Sequence, residues 1–302
     1  MASRLSRAER VETLRIGDIA VTRVEELVIP TSVRWLLPDA PPDARENARP
    51  WLEPHFINER GHLLQSVHTF VVRTPEHVIL VDTGVGNQKV RDQGGVAGFH
   101  MLDTPFLEKL AEAGATPESV DYVLITHMHS DHVGWNTRLV DGAWVPTFPN
   151  ARYIFVAREW AHWSGEAEQS EATRVLVDDS LRPVVDAGLA DLVPPDHRVS
   201  GSVWLEPSHG HTPGHVCVRI SSMGDDAVVT GDVMHSPIQC ACPEPASALD
   251  RDPEPAREAR RAFLERYADG GVLVLGTHFS APSAGYIARD GAAYRYDAVE
   301  GL

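Results

Sequence analysis

The sequence predicts a layered α/β fold, and two patterns carry that expectation. Short β-branched and apolar runs recur at Ser66–Arg73, His77–Asp82, Tyr122–Ile125, Arg152–Val156, Val203–Glu206, Val216–Ile220, Ala227–Thr230 and Val272–Leu275. Amphipathic stretches near Ala157–Ser164, Glu171–Asp186 and Pro255–Tyr267 fall between them. Strands interleaved with helices pack as layers rather than closing into an all-β barrel. No internal repeat, low-complexity block or linker interrupts the pattern, so a single domain over residues 13–302 is expected.

Taken in order, residues 1–12 read as a flexible tail. Leu14–Ile16 and Ile19–Val24 flank Gly17-Asp18, which predicts a hairpin. Residues 30–61 are rich in proline and aromatics and lack clean periodicity. They read as a long ordered loop, either covering a pocket or pinned to the surface by its own apolar side chains. Thr104-Pro105 opens a helix with Phe106, Leu107, Leu110 and Ala111 on one stripe, and Thr116-Pro117 caps a short turn.

Composition narrows the function classes. With 302 residues, 43% hydrophobic and 23% charged, the chain has ordinary globular composition, and disorder is excluded. Lys and Arg number 27 against 43 Asp and Glu, a net charge of −16 that repels a phosphate backbone, so no nucleic-acid partner is expected. No run approaches the roughly 20 apolar residues that span a bilayer, and the first residues lack the apolar core of a signal peptide. A cytoplasmic protein without a membrane partner is the expectation. Three cysteines, Cys217, Cys240 and Cys242, leave an odd thiol, which agrees with a reducing compartment. Cys240 and Cys242 read as packing, because two thiols one residue apart do not make a structural zinc site without two further ligands.

The histidines carry the chemistry: there are 15, and four metal-ligand side chains fall in the run His127-Met128-His129-Ser130-Asp131-His132 directly after the buried strand Tyr122–Ile125. In extended chain, residues two apart point the same way, so His127 and His129 can face one metal while Asp131 and His132 serve a neighbouring position. His211-Thr212-Pro213-Gly214-His215 is a tight turn entering a strand. His215 is the expected ligand there, His211 an orienting neighbour or turn partner, and His209 neither. Asp232 ends the strand Ala227–Thr230 after Gly231, and His278 ends Val272–Leu275 after Gly276-Thr277. Strand ends are where a rigid scaffold gathers side chains at one point. Trp160 and Trp163, near His162, read as the buried stripe of a helix.

This order of motifs resembles the metallo-β-lactamase superfamily, over most of the chain from Asp82-Thr83-Gly84 to His278. The resemblance implies a four-layer αβ/βα sandwich with a binuclear metal site at one edge. It implies that His127, His129 and His215 hold the first metal, that Asp131, His132 and His278 hold the second, and that Asp232 bridges them. Asp82 reads equally as an orienter of a ligand imidazole and as a turn cap, with Thr126 a weaker orienting candidate.

Imidazole and carboxylate ligands suit zinc, with Mn, Fe and Co permitted, so two Zn2+ per chain are the expected cofactors. A water shared by two metals has its pKa lowered from about 15.7 towards roughly 7, giving a bridging hydroxide without a Ser or Cys nucleophile. No Gly-x-Ser-x-Gly elbow is present. Asp131 is the candidate proton acceptor. The pattern is similar to the lactonase and methyl parathion hydrolase-like branch, which implies a small lactone, ester or phosphotriester substrate. His235 stands three residues after Asp232, where lactonases carry tyrosine. It either hydrogen-bonds the substrate or caps the turn at Ser236-Pro237. An aromatic-lined pocket would select a hydrophobic or aryl substrate. The alternatives are a mononuclear iron enzyme of the persulfide-dioxygenase kind and a glyoxalase II-like thioesterase, the latter weakened by the short, strand-like tail after His278. Apolar loop residues such as Trp35 and Leu37 offer a homodimer contact.

Overall fold

A computed structural model of the chain describes residues 13–300 apart from 93–95, 97 and 169. The tail expected at residues 1–12 lies outside the described residues. Gly17, at a φ of +56°, closes the expected hairpin between β1 (Thr13–Ile16) and β2 (Ile19–Thr31). β3 (Leu63–Arg73) pairs antiparallel with β2 and with β4 (Val78–Val81). β5 (Tyr122–Leu124) then lies parallel to β4. A separate hairpin, β6 (Thr137–Val140) and β7 (Ala143–Pro146), follows. β8 (Arg152–Val156) and β9 (Ala190–Val193) extend the first sheet in parallel, giving the order β1-β2-β3-β4-β5-β8-β9. The hairpin β6–β7 and strand β9 are short and half-exposed, so they lack the apolar run that marks the other strands.

The second sheet runs in sequence order through β10 (Val203–Pro207), β11 (Val216–Ser222), β12 (Asp225–Val229), β13 (Leu273–Leu275), β14 (Ala284–Asp290) and β15 (Ala293–Ala298). Only β12 and β13 are parallel. The strand-like tail is the hairpin β14–β15.

The sheets face each other across one apolar cluster, with Phe70, Val72, Val81 and Leu124 from the first packed on Val218, Ile220, Val229 and Leu275 from the second. Burial of such side chains contributes about 1.5–3 kcal/mol each. Helices Phe106–Glu112, Ala157–Glu166 and Glu171–Leu176 cover the outer face of the first sheet. Helices Val33–Leu36, Ala44–Leu52, Ile238–Ala241 and Pro253–Tyr267 cover that of the second. The result is the expected αβ/βα layering. Glu171–Asp186 is not one regular helix: a π-helical turn, Val177–Leu181, interrupts it.

Residues 30–61 differ from the expected loop. They contain the two short helices Val33–Leu36 and Ala44–Leu52, and Leu36, Leu37, Leu52 and Phe56 pack beneath the second sheet. Pro50 inside the second helix and the absence of a long apolar stripe hid these elements. Leu37 is buried and unavailable to a second copy, whereas Trp35 is 48% exposed. Cys217, Cys240 and Cys242 are all buried, the first two within the apolar cluster beneath the second sheet. Among the described residues, no helix is long and apolar enough to cross a membrane.

Candidate metal centre

The parallel strands β4 and β5 deliver Asp82 and the histidine run to one edge. Asp82 sits at a φ of +58°, a conformation unusual outside glycine, held by the contacts its carboxylate makes. Its Oδ1 accepts the Thr126 amide at 2.8 Å, and its Oδ2 accepts the Thr126 hydroxyl at 2.8 Å. Oδ2 also lies 2.9 Å from His132 Nδ1, so Asp82 orients the His132 ring besides tying down the start of the loop. Thr126 in turn contacts His127 Nδ1 at 3.1 Å.

Three side chains arrive from the second half of the chain. Asp232 follows β12, and its Oδ2 lies 3.2 Å from His278 Nε2, 3.4 Å from His211 Nε2, 3.5 Å from His132 Nε2 and 3.6 Å from His127 Nε2. His278 follows β13 and directs Nδ1 to the Ser66 carbonyl at 2.9 Å, leaving Nε2 inward. His211 directs Nδ1 to Asp250 Oδ1 at 2.9 Å and faces His129 Nδ1 with Nε2 at 2.9 Å. Two groups with the spacing of a metal cage result: His127, His129, His211 and Asp232, and beside it Asp131, His132 and His278, the potential ligand atoms of each group lying within 4.8 Å of one another.

His211 therefore occupies the place expected for His215. The Pro-Gly turn carries His215 into β11, behind Asp232 rather than in front of it. Its Nε2 accepts the Asp232 amide at 2.7 Å, and Nδ1 lies 2.8 Å from the Ser208 hydroxyl and 3.1 Å from its carbonyl, so both ring nitrogens are spent on the protein. Gly231, at a φ of +52°, permits that approach, since a Cβ there would lie 2.5 Å from His215 Nε2. Sequence reasoning also missed Asp250, which lies in an irregular loop with no motif around it.

Electrostatics suit cations. Burial holds His127, His129 and His211 well below the ordinary imidazole value and brings His215 down to about 4. Neutral rings can present lone pairs, and His127 Nε2 and His129 Nδ1 lie 3.0 Å apart, close enough for one cation to bind both. Burial pushes His132 down, but Asp232, Asp82 and Asp131 overcome it and hold the ring well above its ordinary value. For Asp232, burial is outweighed by His278, His132, His127 and His235, which keep the carboxyl well below the usual range. Its Oδ1 has no hydrogen-bond partner. A buried carboxylate oxygen left open among inward-facing imidazoles fits a metal pair, and the N/O donor set without thiolate fits zinc and its borderline neighbours.

His235 does not cap the turn after it. The amides of His235 and Ser236 both donate to Gln239 Oε1, at 2.7 and 3.3 Å. The His235 ring is fully buried with neither nitrogen hydrogen-bonded, and its Nε2 lies 3.3 Å from Asp232 Oδ2. A cavity of about 300 Å³ opens over the group, with His129, Asp131 and Asp232 at its floor and Trp35, Phe99, Trp163 and Leu176 among its walls. Trp163 thus faces the cavity and packs edge-on against His129, with ring centroids 5.3 Å apart, besides contributing to its helix's apolar side. On the rim, Arg91 grips both Asp179 oxygens at 2.7 and 2.8 Å. The buried Lys89 donates to Thr137 Oγ1 at 2.7 Å and the Asp179 carbonyl at 2.8 Å, and burial lowers its ammonium to about 7.

Residues 63–278 match the family model described as the metallo-beta-lactamase superfamily. A probable metallo-hydrolase of Mycobacterium tuberculosis is 26% identical over 250 residues, covering 74% of this chain and 77% of its own length. An N-acyl homoserine lactonase of a Bacillus species is 28% identical over 173 residues, covering 54% of this chain and 61% of its own. Among solved structures, hydrolase AbOPH of the beta lactamase superfamily superposes with a TM-score of 0.79 at 24% identity, covering 96% of this chain and 97% of its own. AidC, a dizinc quorum-quenching lactonase bound to its product, superposes at 0.76 and 19% identity, covering 97% and 98%.

Proposed function

Because the chain belongs to the metallo-β-lactamase superfamily and is a metal-dependent hydrolase, we propose that it is a dinuclear zinc enzyme cleaving a small lactone, ester or phosphotriester with a hydrophobic or aryl portion. One observation carries the reading: Asp232 Oδ2 lies within 3.6 Å of imidazole nitrogens from His127, His132, His211, His235 and His278, beneath an apolar cavity. His127, His129 and His211 would hold one cation, Asp131, His132 and His278 the other, with Asp232 between. When bound, such cations polarise a carbonyl or phosphoryl oxygen and make water acidic enough to act as a nucleophile near neutral pH.

The chain's own residues supply the rest. Asp82, Asp250 and the Ser66 carbonyl fix the rings of His132, His211 and His278. Asp131, partly exposed at the cavity floor, is placed to take up the proton released from water. His235 is fully buried outside the cavity lining with Nε2 3.3 Å from Asp232 Oδ2, so its part would be to support that carboxylate rather than to touch substrate. Trp35, Phe99 and Trp163 would seat the apolar portion and exclude water around the reacting bond.

The test pairs metal analysis with a panel of acyl lactones, aryl esters and phosphotriesters. About two zinc per chain and chelator-sensitive turnover of at least one class are expected. A single iron per chain, or no turnover by protein replete with two metals, would overturn the proposal.

A further inference from the structure

Glu159 lies in the first turn of helix Ala157–Glu166, directly after β8, and is 1% exposed. Three N–H groups converge on its carboxylate. Oε1 accepts the Met128 amide at 3.1 Å and the Trp163 indole at 2.8 Å, and Oε2 accepts the Gly214 amide at 2.7 Å. Met128 separates His127 from His129, Gly214 belongs to the turn that follows His211, and Trp163 is the cavity wall against His129. The turn also touches the helix itself: a Cβ on Gly214 would lie 2.7 Å from the Glu159 nitrogen and 2.9 Å from Oε2. Two loops distant in sequence, each bearing ligands of one candidate metal position, are therefore pinned to a single side chain.

We propose that Glu159 is a positioning residue that sets the spacing of His127 and His129 against His211, and with it the affinity of that metal position, while holding Trp163 as a wall for substrate. The proposal rests on the two-metal reading above. A carboxylate suits the place because all three partners are donors and it offers only acceptors. An amide of the same shape must turn its NH2 towards at least one of those donors. The other group, Asp131, His132 and His278, makes no hydrogen bond to Glu159 and is held by Asp82 and Ser66 instead.

The experiment compares full-length wild type with Glu159→Gln and Glu159→Asp, titrating Zn2+ against a chelator and recording the melting temperature of the metal-free form. For Glu159→Gln, one metal should weaken by about 10–100-fold while the other binds as in wild type, and the metal-free protein should still melt cooperatively. Trp163→Phe, which removes one donor but leaves both loops tied, should keep both metals and raise KM for apolar substrates. Wild-type affinity at both positions in Glu159→Gln, or equal weakening of both, would overturn the proposal. So would failure of both Glu159 variants to fold without metal, which would make the residue a support of the fold at large. If wild type itself binds fewer than two metals, the two-metal reading fails first and this assignment falls with it.

Discussion

The loop after β5 and the three single residues contributed by the second half of the chain do the same work by different means. In the loop, His127, His129, Asp131 and His132 lie within six residues, and the turn after β5 sends His127 and His129 to one group and Asp131 and His132 to the other. The remaining donors, His211, Asp232 and His278, come from separate turns, and the two rings are aimed by something remote in sequence: Asp250 for His211 and Ser66 for His278. Spacing brings the first set together, and Asp82 and Glu159 then fix it through His132 and the Met128 amide. The second depends on tertiary supports, and its geometry is more vulnerable to substitutions far from it.

That contrast makes testable demands. The largest effect should come from Asp232, which touches both groups: Asp232→Ala is expected to leave less than one tightly bound metal per chain and to lower kcat/KM by more than ~100-fold, measured by metal analysis and steady-state kinetics. Next, His211→Ala should lose one metal, whereas His215→Ala, which removes an acceptor for the Asp232 amide, should keep both and lose only about tenfold in affinity. The reverse order would restore the expectation drawn from sequence. Asp250→Asn should then weaken one metal by about 10–100-fold and Asp82→Asn the other, read by chelator competition.

The smallest effect lies at the buried Lys89, which shares Asp179 with Arg91 on the cavity rim. Lys89 has a pKa of about 7 when folded against an ordinary 10.5, so between those values the unfolded chain binds more protons and stability rises with pH. Below about pH 7 the cost of burying the charge is constant. Lys89→Met should flatten this rise, seen as wild type gaining in melting temperature relative to the variant as pH increases from 7 to 9.5.

Most of the layered fold was legible because its core strands are buried on both faces and read as uninterrupted apolar runs, Val78–Val81 and Leu273–Leu275 among them. The helices within 30–61 were not, since their apolar residues pack by tertiary contact with the second sheet rather than along a long stripe. At the site, the histidine run announced itself, and so did Asp232 and His278 at strand ends. The choice between His211 and His215 did not, because both flank the same Pro-Gly turn and only the rotation of that turn decides which ring faces the cavity. Asp250 and Glu159 lack any sequence signal, since their role exists only in the contacts they make across the fold.

The central claim is a pair of cations sharing Asp232, and anomalous diffraction from zinc-loaded crystals tests it most directly. Two peaks should appear a few ångströms apart, one beside His127, His129 and His211 and the other beside Asp131, His132 and His278, with the Asp232 carboxylate reaching both. A single peak, or a peak ligated by His215 in place of His211, would contradict the account.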